Sequence, residues 1–363
     1  MDEYTGTRPV ASSHAFDAGA LEAYLTRELP GFAGPLTVEQ FKGGQSNPTY
    51  KLVTHACNYV MRTKPAPKAK LLPSAHAIER EFRVMKALCG SEVPVPRMLL
   101  LCEDEAVIGR AFFVMEFVEG RVLWDQALPG MSTNERAATY DEMNRVIAAL
   151  HAVDVAAVGL ADYGKPGSYF ERQIARWSKQ YLASVTQPID EMDRLLEWLP
   201  SHMPASASDD SLVSIVHGDY RLDNLVFAAD EARVAAVLDW ELSTLGHPLA
   251  DFSYHCMAWH IPPGTFRGIA GLDLASLGIP AERDYVRRYC ERLSAATDRQ
   301  LDTDTVMADW SFYLAYNLFR LASICQGIAR RVVDGIASSA EARATGARTR
   351  PLAEMAWRFA QRA

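Results

Sequence analysis

The 363-residue sequence has no long hydrophobic run. Its apolar blocks, such as Ala111–Met115 and Val234–Leu238, fall far short of the ~20 residues a membrane-crossing helix needs, so no membrane partner is expected. The first 30 residues lack a basic segment followed by an apolar block and carry Asp2, Glu3, Asp17 and Glu22 instead. No secretory leader is expected, and the chain reads as cytoplasmic. There is no C-x-x-C. Six cysteines (57, 89, 102, 256, 290, 325) are scattered, which fits free, mostly buried thiols in a reducing compartment. Positive charge is not in excess: 37 Lys and Arg against 45 Asp and Glu leave −8, which argues against nucleic acid and toward a neutral or cationic substrate. Zinc spacing is missing too, because His255 and His260 are five apart and do not share one helical face. Internal repeats and low-complexity tracts are absent. What remains, 49% apolar and 23% charged residues, is the balance of a globular chain able to bury a core.

The first third reads as strands interrupted by one helix. After the turn-rich segment 41–47, Thr49–Thr54 and Asn58–Arg62 predict paired strands. Ser74–Leu88 predicts a helix with apolar residues at 78, 82, 85 and 88, and Ala111–Val118 a buried strand. Beyond Gly120 the pattern turns helical. Ser132-Thr133-Asn134-Glu135 has the form of a capping box, and Tyr140, Met143, Ile147 and Leu150 continue the stripe. Tyr169–Leu182, Met192–Leu199 and most of the chain from Ala281 onward also predict helices, and Ser201–Ser211 a surface loop. Strands are expected only at Ser214–Val216, Leu225–Phe227 and Val234–Leu238. The fold class is therefore α+β, with a β-rich lobe over 1–117 and a larger, mainly helical lobe over 118–363.

Chemistry concentrates in Val216-His217-Gly218-Asp219-Tyr220-Arg221-Leu222-Asp223-Asn224, followed fifteen residues after Asn224 by Asp239-Trp240. The intervening Leu225–Leu238 predicts a hairpin turning at 228–231, which would return Asp239 beside Asn224. Phosphoryl transfer needs a carboxylate to orient a hydroxyl, and hard oxygen ligands to hold Mg²⁺ on a triphosphate. Asp219 suits the first task, Asn224 and Asp239 the second. The plain alternative is that these are turn residues, which Asp and Asn often are. Arg221 is either a charge stabiliser for the transferred phosphate or a surface arginine. His217 is expected to bond structurally, and Asp251 to brace the Asp219 loop.

With these residues in view, the chain resembles the aminoglycoside phosphotransferase family, a branch of the bilobal protein-kinase-like fold. It is most similar to the kinase domains associated with acyl-CoA dehydrogenases. The resemblance runs from Phe41-Lys42-Gly43-Gly44 to Arg350-Pro351-Leu352, including Tyr59-Val60-Met61-Arg62, Gly167-Ser168-Tyr169-Phe170 and Gly246-His247-Pro248. It implies ATP and Mg²⁺ as cofactors, Asp219 as base, and Asn224 and Asp239 as metal ligands. It also implies a phosphate-binding cation at Arg62, where the family usually has lysine, braced by Glu81; Lys64 competes for that role. Gly43, Gly44, Ser46 and Asn47 stand where a phosphate-covering loop is expected, without the G-x-G-x-x-G of protein kinases. The backbone from Met115 through Glu116 to Val118 would read the adenine edge.

The acceptor implied is a small-molecule hydroxyl, on a hydroxyacyl-CoA or hydroxy acid, with a functional link to an acyl-CoA dehydrogenase. The stretch from Tyr254 to Phe266, with Trp259 and His260, would wall its site. Two alternatives stay open: a kinase for an aminoglycoside or other antibiotic, and a non-catalytic nucleotide- or acyl-CoA-binding pseudokinase.

Overall fold

The structure is a computed structural model that describes residues 6–42, 47–65, 77–165, 167–265, 267–336 and 341–363. Gly43, Gly44, Ser46 and the start of the helix expected from Ser74 lie outside the described residues. Two compact units form. One comprises Met1–Trp124, Val158–Leu160 and Asp223–Ser243; the other comprises Asp125–Ala157, Ala161–Leu222 and Thr244–Ala363. The hairpin carrying Asn224 and Asp239 thus belongs to the first unit.

The first unit is built on a six-stranded antiparallel sheet. Its strands, in spatial order, are Thr7–Arg8, Thr37–Phe41, Thr49–Val53, Asn58–Thr63, Phe112–Glu116 and Met98–Cys102. Side chains alternate between faces along a strand, so Tyr59 and Met61 enter one core with Leu52, Phe112 and Val114. Val60 and Arg62 therefore take the opposite face. Both faces of Asn58–Thr63 are covered, which explains a strand that is buried almost throughout.

The Tyr59 core is closed by a helix, Ala18–Glu28, that the sequence reading did not include, so this region holds two helices rather than one. The Asp17 side chain caps it by accepting from Ala20 N at 3.0 Å, and Leu21 and Leu25 are fully buried. Two apolar residues one turn apart make too short a stripe to stand out. The other helix, Ile78–Leu88, buries Ile78, Glu81, Val84, Met85 and Leu88. The expected stripe is corrected at one position: Glu81 is buried, whereas Phe82 is half-buried beside the tilted ring of Phe113.

A second, three-stranded sheet in this unit joins Arg121–Val122 to the expected hairpin, Leu225–Phe227 with Val234–Val237. Ala228 N donates to Arg233 O at 2.9 Å across the turn. Leu238 N donates to Asn224 O at 2.8 Å, which sets Asp239 beside Asn224 as expected. Gly120 has to be glycine here, since a Cβ would lie 2.2 Å from Phe227 O.

The second unit is mainly helical. Thr133–Ala152 starts at the expected capping box, with Glu135 N donating to Ser132 Oγ at 3.3 Å and Ser132 N to Glu135 Oε2 at 2.7 Å. Tyr140, Met143, Ile147 and Leu150 are all fully buried. Trp310–Val333 is the central helix: every residue from Phe312 to Ser323 is buried, as expected of a helix enclosed on all sides. Tyr169–Ser184, Pro248–Cys256 and Thr349–Ala360 pack around it. Ser214–Val216 pairs with Thr244–Gly246 and runs directly into His217. Ser201–Ser211 is not merely a surface loop. It forms short turns of helix that bury Ala207 and bring Ser206 Oγ to Tyr313 Oη at 2.7 Å. No helix among the described residues is long and apolar enough to cross a membrane.

Candidate active site

In the helical unit, the loop after Ser214–Val216 is held from beneath by a buried carboxylate. Asp251 sits in the first turn of Pro248–Cys256 and accepts from His217 N at 2.7 Å and Gly218 N at 2.8 Å. His151 Nε2 lies 3.2 Å from Asp251 Oδ2, and His151 Nδ1 lies 2.6 Å from Tyr289 Oη. An ionised carboxylate can only accept, so the proton sits on His151 Nε2. Burial opposes ionisation of Asp251, yet the His151 hydrogen bond, His217 and the backbone amide outweigh it and hold the carboxyl below its ordinary range. His217 Nδ1 accepts from Asp219 N at 3.2 Å, the structural role expected of it. Gly218, at φ +82°, makes the turn that L side chains resist.

Asp219 projects from this rigid loop with its side chain 17% exposed. Tyr254 Oη donates to Oδ1 at 2.6 Å, and Arg221 pairs with Oδ2 at 2.9 Å. Burial, and next the Asp219 charge, push the Tyr254 hydroxyl well above its ordinary pKa, so it remains a donor. Arg320, buried in the central helix, donates to Gly218 O at 2.5 Å, and its guanidinium lies 4.9 Å from the centre of the Tyr254 ring. It therefore touches both the loop and the tyrosine that orients Asp219.

In the sheet unit, Arg62 is the hub of a second constellation. Its Nε lies 3.0 Å from Glu81 Oε2, an ion pair without good hydrogen-bond alignment. Its Nη2 donates to Asp239 Oδ1 at 2.9 Å and Glu241 Oε2 at 3.1 Å. Burial disfavours the guanidinium charge, but Glu81, Asp239 and Glu241 outweigh it and raise the Arg62 pKa. Asn47 Nδ2 donates to Glu81 Oε1 at 2.9 Å. Three carboxylates share one cation here, and Glu81 is the most buried of them. Burial first, and then the Asp239 and Glu241 charges, push it up to about 7 despite Arg62. Asp239 itself is left-handed at φ +66°, a strained conformation that Asp tolerates better than most residues.

Asn47, Arg62, Glu81 and Asp239 are thus brought into one network, with Asn224 bonded to the residue preceding Asp239. Lys64 pairs with Glu79 instead. Glu116 closes its strand and accepts from Arg97 N at 2.8 Å, while Val118 follows half-buried. Of the stretch expected to wall the acceptor, Phe266 lies outside the described residues, and Trp259 and His260 are engaged elsewhere. Trp259 Nε1 donates to Pro280 O at 3.0 Å and His260 Nε2 meets Glu282 at 2.8 Å. It is Tyr254, Met257, Ala258 and Ile261 that line a cavity.

Sequence reasoning missed Arg320 and Glu241, and it placed Tyr254 in the acceptor wall without its bond to Asp219. Glu241 had a signal, lying two residues after Asp239. The pairings of Tyr254 and Arg320 had none, since their partners are 35 and 102 positions away.

An antiparallel sheet unit with Arg62–Glu81 on one face, and a helical unit carrying the Asp219 loop, define the protein-kinase-like fold. The profile of the phosphotransferase enzyme family, APH, matches residues 37–298, and the chain belongs to that family. A candidate aminoglycoside phosphotransferase from Ralstonia eutropha is 61% identical, with a TM-score of 0.86 over 96% of this chain and 99% of that one. Acyl-CoA dehydrogenase family member 10 of Mus musculus is 45% identical over 98% of this chain, which spans 32% of that relative's length. The aminoglycoside phosphotransferase APH(4)-Ia, solved with AMP-PNP and hygromycin B, shares the fold at 15% identity and a TM-score of 0.59, covering 94% of this chain and 99% of that one.

Proposed function

We propose that this chain is an ATP- and Mg²⁺-dependent kinase that phosphorylates a hydroxyl of a small molecule, a hydroxyacyl-CoA or hydroxy acid. The observation that carries this reading is the Asp219 carboxylate, fixed on a loop that Asp251 grips through two backbone amides and aligned by Tyr254 and Arg221. A pre-aligned carboxylate lowers the barrier by positioning, the main contribution a protein makes to phosphoryl transfer.

In the proposed step the acceptor oxygen attacks the γ-phosphorus and Asp219 takes its proton. The bond to the bridging oxygen breaks, and ADP leaves with the electron pair. Arg221 balances charge beside the base. Arg62, braced by Glu81, is the cation for the nucleotide phosphates; arginine grips phosphate as well as lysine does, with a forked geometry. The donor set fits a hard cation: the Asp239 carboxylate, 34% exposed, and the Asn224 amide oxygen would hold Mg²⁺. When bound, that ion neutralises phosphate charge. The complex of APH(4)-Ia with AMP-PNP supports a nucleotide, and the acyl-CoA dehydrogenase relatives support an acyl acceptor and a functional link to such an enzyme.

The test is Mg-ATP turnover by wild type and Asp219→Asn across hydroxyacyl-CoAs, free hydroxy acids and aminoglycosides. Turnover on the acyl compounds that disappears in the variant supports the reading. Turnover confined to aminoglycosides makes the chain an antibiotic kinase, and nucleotide binding without turnover on any acceptor makes it a binding module.

A further inference from the structure

Arg320 lies in the middle of the central helix Trp310–Val333 and is only 8% exposed. Its guanidinium donates to Gly218 O at 2.5 Å. The guanidinium carbon lies 4.9 Å from the centre of the Tyr254 ring and 5.6 Å from that of Trp177. One side chain on the central helix thus ties three other elements together. They are the Asp219 loop, the helix Pro248–Cys256 through Tyr254, and the helix Tyr169–Ser184 through Trp177. Among the described residues, no carboxylate lies at ion-pair distance from this cation.

That is a costly way to hold a carbonyl. Taking a guanidinium out of water costs more than one hydrogen bond to a neutral oxygen returns. A glutamine amide could donate to Gly218 O with no buried charge, and a methionine could fill the space. Only a cation adds attraction to the ring faces and a charge-assisted bond to the carbonyl. Both of those effects converge on Asp219. Gly218 O belongs to the peptide that leads into Asp219, and Tyr254 Oη donates to Asp219 Oδ1 at 2.6 Å. A positive charge on the face of a phenol also draws density from its oxygen, which strengthens the O–H as a donor. Arg221 holds the other oxygen, Oδ2, directly.

We propose that Arg320 is a positioning residue for the base: its charge, gripping Tyr254 by the ring and Gly218 by the carbonyl, fixes the orientation in which Asp219 meets the acceptor hydroxyl. Arg320 itself touches neither acceptor nor nucleotide in this role. This inference rests on the kinase reading of Asp219.

The test compares Arg320→Lys, Arg320→Gln and Arg320→Met with wild type, by Mg-ATP turnover across the hydroxyacyl-CoAs, hydroxy acids and aminoglycosides. A second readout needs no turnover. It is the NMR resonance of the Tyr254 phenol carbon in tyrosine-labelled protein, identified by its loss in Tyr254→Phe. Arg320→Gln and Arg320→Met should lower kcat about tenfold or more, leave the KM for ATP near wild type and shift that resonance. Arg320→Lys keeps the charge and should recover part of both effects. Adding Tyr254→Phe to Arg320→Gln should cost well under the product of the two single losses, because the route they share is already broken. Should Arg320→Gln not fold, Trp177→Leu loosens the same guanidinium with its charge kept, and it too should lower kcat and shift the resonance. A shifted resonance that Arg320→Lys restores, without turnover in any protein, would keep the positioning role and sink the kinase reading. Turnover and resonance equal to wild type in Arg320→Gln and Arg320→Met would do the reverse. Equal losses in all three Arg320 variants reduce the residue to packing and overturn the proposal, as does Trp177→Leu with wild-type kcat and resonance.

Discussion

Asp251 accepts two backbone amides and lies against His151 in a site closed to water, so its charge and the Asp219 loop stand or fall together. Its folded pKa lies below the ordinary 3.8. The resulting stability is therefore present above about pH 4 and is lost as pH falls through the lowered value. Asp251→Asn should cost about 3–5 kcal/mol at neutral pH, as loss of one partner from a buried charged network does. It should also flatten the acid limb, and urea midpoints measured from pH 2 to 7 check both. Glu81 has the opposite sign. Its pKa rises from 4.5 to about 7 on folding, so the fold gains protons between those values and its contribution weakens as pH climbs through them. Glu81→Gln should remove that part of the decline; a wild-type slope that persists unchanged in the variant would refute the assignment. Tyr254→Phe deletes the hydrogen bond on Asp219 Oδ1. A bond to a charged group is worth roughly 1.5–3 kcal/mol, so kcat should fall about 10- to 100-fold with Mg-ATP binding preserved.

Elements are legible where local chemistry decides them. The capping box at Ser132 and the Tyr140–Leu150 stripe give the helix Thr133–Ala152 its start and its buried face. Ser132→Ala should lower stability by about 1 kcal/mol, seen as a lower urea midpoint at unchanged slope. The hairpin from Leu225 to Val237 is likewise read from two short apolar runs around a polar turn, and its register brings Asp239 back to Asn224. Ala18–Glu28 escaped because its stripe is short and its cap is one aspartate among many acidic residues. The apolar stripe of Ile78–Leu88 left Glu81 out because a carboxylate on a buried face makes sense only through a partner from another element, here Arg62.

For the whole molecule, ligand binding and stability are linked. A nucleotide that binds only the folded chain adds about 2.7 kcal/mol at a hundredfold excess over its Kd. Mg-ATP should therefore raise Tm for wild type and Asp219→Asn alike. Asp239→Asn should lose the Mg²⁺-dependent part of the rise, and an equal rise in that variant would rule out Asp239 as a metal ligand. Local patterns are legible in the residues alone: the strands and helices with clear periodicity, the capping box, the hairpin, and the Asp219, Asn224 and Asp239 spacing. These depend on neighbours a few residues apart, whose geometry the backbone sets. Long-range packing settled that Arg62 carries three carboxylates, that Tyr254 and Arg320 hold the base and its loop, and that Arg267 lines a cavity. Those contacts join residues 19 to 179 positions apart, and no local period records which distant side chains the packing of a core will bring together.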